Sequence, residues 1–325
     1  MTENYLLKLP INKILNKIFK KFNKKIIKSI ILLGSAARNE LTTHMCENNI
    51  RVISDIEICV LLKPFFIAIM NRKKLYFKID IYNIEITSTH EFFIKILKTP
   101  LVYDLKTTGK LLWGKDIRNK IWINNPKQIP FWEGIRFLYN RLIPFEVLLW
   151  KKFNNLPINE KEEYYNTKLL IAIGEFLLIK NRCYFSSYKD KLMYLEKKFG
   201  NNNKKMYQIL NAFKFKLNYE IEFDNLDSIE STSMMIYGIL KRINPYLNSF
   251  KIPISTKLFN CFEKIENRDF SNIFSKLKII NIYKISFKIL EFYNKSPKKF
   301  FKYGDKIELL INEWKNCKEI QSSFI

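Results

Sequence analysis

Two carboxylates two residues apart in an apolar run carry the clearest chemistry in the chain. Ser54-Asp55-Ile56-Glu57-Ile58-Cys59-Val60 reads as a β-strand in which Asp55 and Glu57 stand at alternate positions. Residues i and i+2 of a strand share a face, so the two acids lie side by side, about 7 Å apart along the chain. Ionised carboxylates that close repel unless a cation lies between them, and a divalent metal is the usual solution. Upstream, Leu32-Leu33-Gly34-Ser35-Ala36-Ala37-Arg38 is an apolar run stopped by Gly-Ser. A glycine at such a turn lets the backbone approach a ligand closely, and a following helix start favours an anion. The Ser35 hydroxyl can donate to phosphate oxygens.

The elements that must hold these residues follow from periodicity. Residues 11–29 carry Ile11, Ile14, Leu15, Ile18, Phe19 and Phe22 at helical spacing, with lysines over the remainder. They read as a helix packed on a sheet with its lysines outward, rather than a membrane-surface helix. A strand over 29–33 leads into the Gly-Ser turn and a short helix over 36–41. Residues 48–53 form a connector or extra strand ahead of the carboxylate strand, 55–62. Residues 75–86 are β-rich, and Ser88-Thr89 offers an N-cap for a helix running to about residue 98. Beyond a linker marked by Asn124-Asn125-Pro126 and Pro130, helical patterns take over. They cover 131–153, 160–181, 187–199, 203–217, 229–241, 256–264, 271–292 and 303–317. The fold class is therefore α+β: a mixed sheet with flanking helices over 1–123, then an all-α region over 124–325, with a seam near 220–255.

Composition bounds the rest. The chain has 325 residues, 47% of them hydrophobic, enough for two domains and a sizeable core. No charge-free apolar run is long enough to span a membrane, and the N-terminus lacks the pattern of a secretory signal. Five cysteines without CxxC spacing argue against structural zinc and suit a reducing cytosol, so a cytoplasmic location is expected. The formal net charge is +25, yet the basic residues are 47 Lys and only 9 Arg. Arg is the side chain suited to forked phosphate contacts. The charge therefore reads as compositional bias toward Lys, Asn and Ile on a solvated surface, one that still attracts an anionic nucleotide.

Gly34-Ser35 followed by Asp55-x-Glu57 resembles the signature of the DNA polymerase β-type nucleotidyltransferase superfamily. Gly34-Ser35-Ala36-Ala37-Arg38-Asn39-Glu40 is similar to the G-S-x-A-R-G-E form of its minimal and antibiotic-type members, with Asn39 where Gly is usual. Tyr103-Asp104 and the stretch from Gly109 to Gly114 resemble the segment that closes that domain. Asn140-Arg141, Tyr165, Lys168 and Tyr184 to Tyr188 resemble the helical region of such proteins. One departure is the interval from Ser35 to Asp55, 20 residues where about ten are usual, which suggests an added hairpin or flap over 42–51.

The resemblance implies metal-dependent transfer of an NMP unit from an NTP to an acceptor hydroxyl or phosphate, with release of diphosphate. It implies two Mg2+ ions, with Mn2+ as the alternative, held by Asp55, Glu57 and a third carboxylate. Glu85 is the favoured third acid, because it lies just before the Ser88-Thr89 cap, and Asp80 is the reserve. Five residues apart, they face opposite ways in a regular strand. Gly34, Ser35 and Arg38 are the nucleotide-binding candidates, with Arg38 open between phosphate and a carboxylate. Tyr164, Tyr165 and Lys168 are candidates for the acceptor side, packing with a solvated Lys being the alternative. A small molecule is the first choice of acceptor, an RNA 3′ end the second and a protein side chain the third. A non-catalytic nucleotide-binding protein is the rival reading. His44 and His90 read as surface or cap residues.

Overall fold

The computed structural model describes residues 9–46, 49–63, 74–200, 204–218, 229–247 and 275–295. The expected helices over 256–264 and 303–317, and both ends of the expected seam, 220–228 and 248–255, lie outside them. The described residues form an α+β fold. A five-stranded mixed sheet comes first, and helices dominate the remainder.

Helix α1 (Ile11–Lys21) lays Ile14, Ile18 and Phe22 on the sheet, and its lysines face outward. It is shorter than the expected 11–29. The Asn23 side chain accepts a hydrogen bond from the Lys25 N–H (2.9 Å), which stops the helix, and Ile26-Ile27 then turn toward strand geometry. Strand β1 (Ile27–Leu33) runs into the four-residue helix α2 (Gly34–Ala37). A hairpin follows, β2 (Thr43–Cys46) and β3 (Asn49–Val52), so the long interval before Asp55 does hold an inserted hairpin. Next come β4 (Ile56–Leu62), β5 (Lys74–Ile79) and β6 (Tyr82–His90).

Helix α3 (Glu91–Ile96) starts later than Ser88-Thr89 would predict. Strand β6 continues through both residues in register with Val60 and Leu61 of β4, and both are buried in the sheet. The cap falls to His90, whose Nδ1 accepts from the Phe92 N–H (3.2 Å). Helix α4 (Pro100–Thr108) is capped by Thr99, with Pro100 at its first position. Strand β7 (Lys110–Gly114) then returns antiparallel to β1. Gly114 closes it at a φ of +89°, where a β-carbon would lie 2.2 Å from the Lys28 carbonyl oxygen; no other residue fits there.

The sheet order is β5-β6-β4-β1-β7; only the β4–β6 pair is parallel. Strand alternation splits the apolar residues between two faces. Ile30, Leu32, Ile56, Ile58, Val60, Ile84 and Ile86 pack toward α1. Ile31, Leu33, Cys59 and Leu61 face the other way, against α3, α4 and two residues of the helical region, Ile179 and Tyr184.

The helical region comprises α5 (Phe131–Phe153), α6 (Glu160–Lys180), α7 (Tyr188–Phe199), α8 (Lys204–Lys216), α9 (Ile229–Ile243) and α10 (Ser275–Lys295). It has its own apolar core, in which Tyr139 stacks on Tyr283 with ring centroids 4.2 Å apart. Trp132 and Tyr139 are core residues, whereas Phe131 beside them is exposed.

Candidate functional site

The carboxylate row is set by strand register. Glu57 on β4 is paired with Glu85 on the parallel neighbour β6, and Glu85 is paired in turn with Tyr76 on β5. Paired residues of adjacent strands project to the same side, with β-carbons about 5 Å apart. Asp55 stands one residue before β4, two positions from Glu57. All three acids are half-buried, whereas the intervening Ile56 and Ile58 are fully buried on the opposite face. The row is electrostatically one unit at Tyr76: burial together with Glu85, Asp55 and Glu57 pushes its phenol up to about 12.

Asp80 stands apart from this row. It lies in the β5–β6 turn at a φ of +53° and forms an exposed ion pair with Lys13 of α1 (2.9 Å).

The Gly-Ser turn meets the row directly. Leu33, the last residue of β1, is paired with Glu57, and Gly34 follows with a φ of +63°. A β-carbon on Gly34 would lie 2.6 Å from Glu57 Oε2. Glycine is thus required twice here, for the left-handed backbone and for the space the Glu57 carboxylate takes. The expected helix over 36–41 is only the single turn Gly34–Ala37. Asn39 has a φ of +60°, so the position that carries Gly in the resembling motif demands a left-handed backbone here as well. Asn is among the residues that tolerate it best.

Arg38 faces protein carboxylates. Its Nε donates to Glu40 Oε2 (2.7 Å), its Nη1 lies 3.6 Å from Asp104 Oδ2, and the guanidinium sits over the Tyr188 ring at 5.2 Å. Burial opposes its charge, but Asp104, Tyr188 and Glu40 outweigh that and raise its pKa above the ordinary value. Glu40 reaches into the helical region: its carboxylate accepts from Ser187 Oγ (2.8 Å), the Tyr188 N–H (3.2 Å) and the Lys189 N–H (3.3 Å). That is the first turn of α7, where a negative charge complements the helix dipole. Burial would raise the Glu40 pKa, yet Arg38, Ser187 and Tyr188 hold it below its ordinary value. Asp104, on α4, accepts from the Tyr184 hydroxyl (3.1 Å), and burial pushes it up to about 6 despite Lys191 and Arg38. The Arg38–Glu40 half of the motif is therefore a clasp between the sheet and α7.

One lysine of the helical region reaches the row, and a second lies near it. Lys216, at the end of α8, is 93% buried, its exposure being 7%. Its Nζ donates to Ser54 Oγ (2.6 Å), next to Asp55, and lies 5.3 Å from the Tyr188 ring centroid. Burial first, then nearby Lys168, brings its pKa down to about 7, while Glu57 pulls the other way. Lys168 on α6 lies over the Tyr164 ring at 4.9 Å. Tyr164 is buried and hydrogen-bonds Thr42, and burial with the charge of Asp55 contributes to raising its phenol to about 12. Tyr165 turns instead toward the helical core, with Glu162, Lys151 and Arg141 as its charged neighbours. Both tyrosines fall at helical-neighbour spacing from Lys168; it is Tyr164 whose ring the ammonium covers, while Tyr165 packs against the helical core.

The inserted hairpin is anchored at this point. Thr42 Oγ1 donates to the Lys216 carbonyl oxygen (3.1 Å), and Asn218 exchanges hydrogen bonds with Thr43 and Leu41 (2.8 Å each). Lys216 and Tyr76 carry no motif in the sequence. Only the fold brings them to Asp55 and Glu57.

Among the described residues, no group of three or more His, Cys, Asp or Glu side chains forms a ready-made metal cage. The half-exposed acid row suits a different mode. Magnesium is commonly held by one or two carboxylates plus waters and substrate phosphates. No protein-family model matches the chain, and no curated protein matches it. No helix among the described residues is long and apolar enough to cross a membrane.

Proposed function

We propose that the chain is a metal-dependent nucleotidyltransferase that moves an NMP unit from an NTP to an acceptor, with release of diphosphate. The observation that supports this reading best is the apposition of Gly34 and Glu57 at one end of the sheet, with Asp55 and Glu85 beside them. It unites a glycine turn at the strand end with a carboxylate row suited to magnesium.

Asp55 and Glu57 are the residues that would hold Mg2+ or Mn2+, with Glu85 as the third acid. The bound metal would supply charge neutralisation at the attacking and leaving oxygens. The chain's own residues do the rest. Gly34 adds no side chain of its own at the strand end, so the turn lies directly against the Glu57 carboxylate and whatever that carboxylate holds. Lys168 would offer positive charge to a polyphosphate held by the metal, while the buried Lys216, through Ser54, fixes the segment that carries Asp55. Glu85 accepts the acceptor's proton. The Arg38–Glu40 clasp fixes α7 and, through Tyr188, the position of Lys216. Most of the acceleration in such a reaction comes from positioning and electrostatic stabilisation.

The acceptor we favour is a small molecule, since Arg is scarce and no RNA-binding motif is evident in the sequence. An RNA 3′ end is the second reading, supported by the net charge of +25. The test is incubation with each labelled NTP and Mg2+, offering separate pools of small molecules, RNA and protein. Label in one pool identifies the acceptor class. A chain that labels no pool and binds no Mg–NTP overturns the reading. RNA binding that does not weaken with rising salt would exclude the phosphate-contact mode.

A further inference from the structure

Tyr76 is an anomaly on the carboxylate face. It is 65% exposed, on β5 at the end of the sheet, in register with Glu85. The pairing puts Tyr76 on the same face of the sheet as Glu85 and Glu57, and its phenol feels the charges of all three acids. The other tyrosines near the row differ: Tyr164 and Tyr184 are buried, and Tyr188 is sandwiched among Arg38, Lys191 and Lys216. Tyr76 thus joins a hydroxyl nucleophile, solvent access and a neighbouring carboxylate base.

Resting on the nucleotidyl-transfer reading above, we propose that Tyr76 is a self-acceptor: the chain transfers one NMP from an NTP to the hydroxyl of its own Tyr76. The phenol oxygen attacks the α-phosphorus and a new O–P bond forms. The bond from that phosphorus to the oxygen bridging to the β-phosphate breaks, and diphosphate leaves. The phenol proton passes to the Glu85 carboxylate and then to water. The product is a phosphodiester that adds a negative charge and a bulky nucleoside beside Asp55, Glu57 and Glu85. It closes the site against a second NTP, so labelling stops at one NMP per chain.

The experiment uses the purified full chain with Mg2+ and each of the four NTPs, with no added acceptor, read by intact mass and peptide mapping. The wild type is expected to gain one NMP on the peptide bearing Tyr76. Tyr76→Phe is expected to bind Mg–NTP as the wild type does, measured by calorimetry, and to gain none. Asp55→Asn is expected to gain none. A wild-type chain that binds Mg–NTP but stays unlabelled, or is labelled at another residue, overturns the self-acceptor proposal and leaves the nucleotidyl-transfer reading standing. A wild type that neither binds Mg–NTP nor is labelled overturns both.

Discussion

A β-carbon on Gly34 would lie 2.6 Å from Oε2 of Glu57. The turn that ends β1 and the acid row on β4 and β6 are therefore one construction, with the Glu57 carboxylate in the space glycine leaves. Gly34→Ala should separate stability from function. The backbone strain of an alanine at a φ of +63° costs about 1–2 kcal/mol. The clash itself is relieved if the Glu57 side chain swings away, which takes a carboxylate out of the row. Chemical denaturation should show the modest loss, and Mg–NTP binding should fall far more than that loss explains. Unchanged binding would break the proposed link between the two motifs.

Asp55→Asn and Glu57→Gln should abolish NMP transfer without unfolding the chain. Both side chains are half-exposed, and each substitution removes repulsion between neighbouring acids. Thermal unfolding of the variants should match or slightly exceed that of the wild type. A cooperative loss of structure would assign these acids a structural role instead.

Lys216→Met should stabilise the chain while weakening nucleotide binding. The buried ammonium has its pKa pulled down to about 7, so the folded state disfavours its charge. Below that value the lysine is charged in both states and the folding penalty is complete. As pH rises from 7 toward the ordinary lysine range near 10.5, the folded state sheds the proton first and the penalty fades. The melting-temperature advantage of Lys216→Met should accordingly be largest near neutrality and below, and shrink toward alkaline pH. Parallel curves for the two proteins would contradict the assignment.

Glu40→Ala should loosen the sheet from α7. Four donors surround a carboxylate with little exposure, and removing one partner of such a buried pair costs about 3 kcal/mol. Because the folded Glu40 pKa lies below its ordinary value, its stabilisation is present above about pH 4.3 and lost as pH falls through the folded value. Denaturation of both proteins against pH should show the gap closing only in acid. A constant gap would mean that the contact is not ionic.

Much of the fold was legible in the residues, for reasons that differ by element. Phe131–Phe153 was readable because its apolar period persists over many turns. The early end of α1 and the late start of α3 were not, because each is decided by one side-chain hydrogen bond, at Asn23 and His90. The placement of Glu85 and Asp80 followed from strand register and a turn that alternation alone could not locate. Arg38 stayed open between phosphate and a carboxylate because its partners, Glu40 and Asp104, converge only in three dimensions. Lys216 was invisible as a site residue for the same reason, being one lysine among 47 until the fold buries it beside Ser54.

The most direct measurement of the central claim compares two labels on the same NTP in the presence of Mg2+. With α-phosphate label, the wild type should pass radioactivity to an acceptor, and with γ-phosphate label it should release labelled diphosphate; Asp55→Asn should do neither. Release of labelled orthophosphate, or transfer of the γ-label, would contradict nucleotidyl transfer at this site.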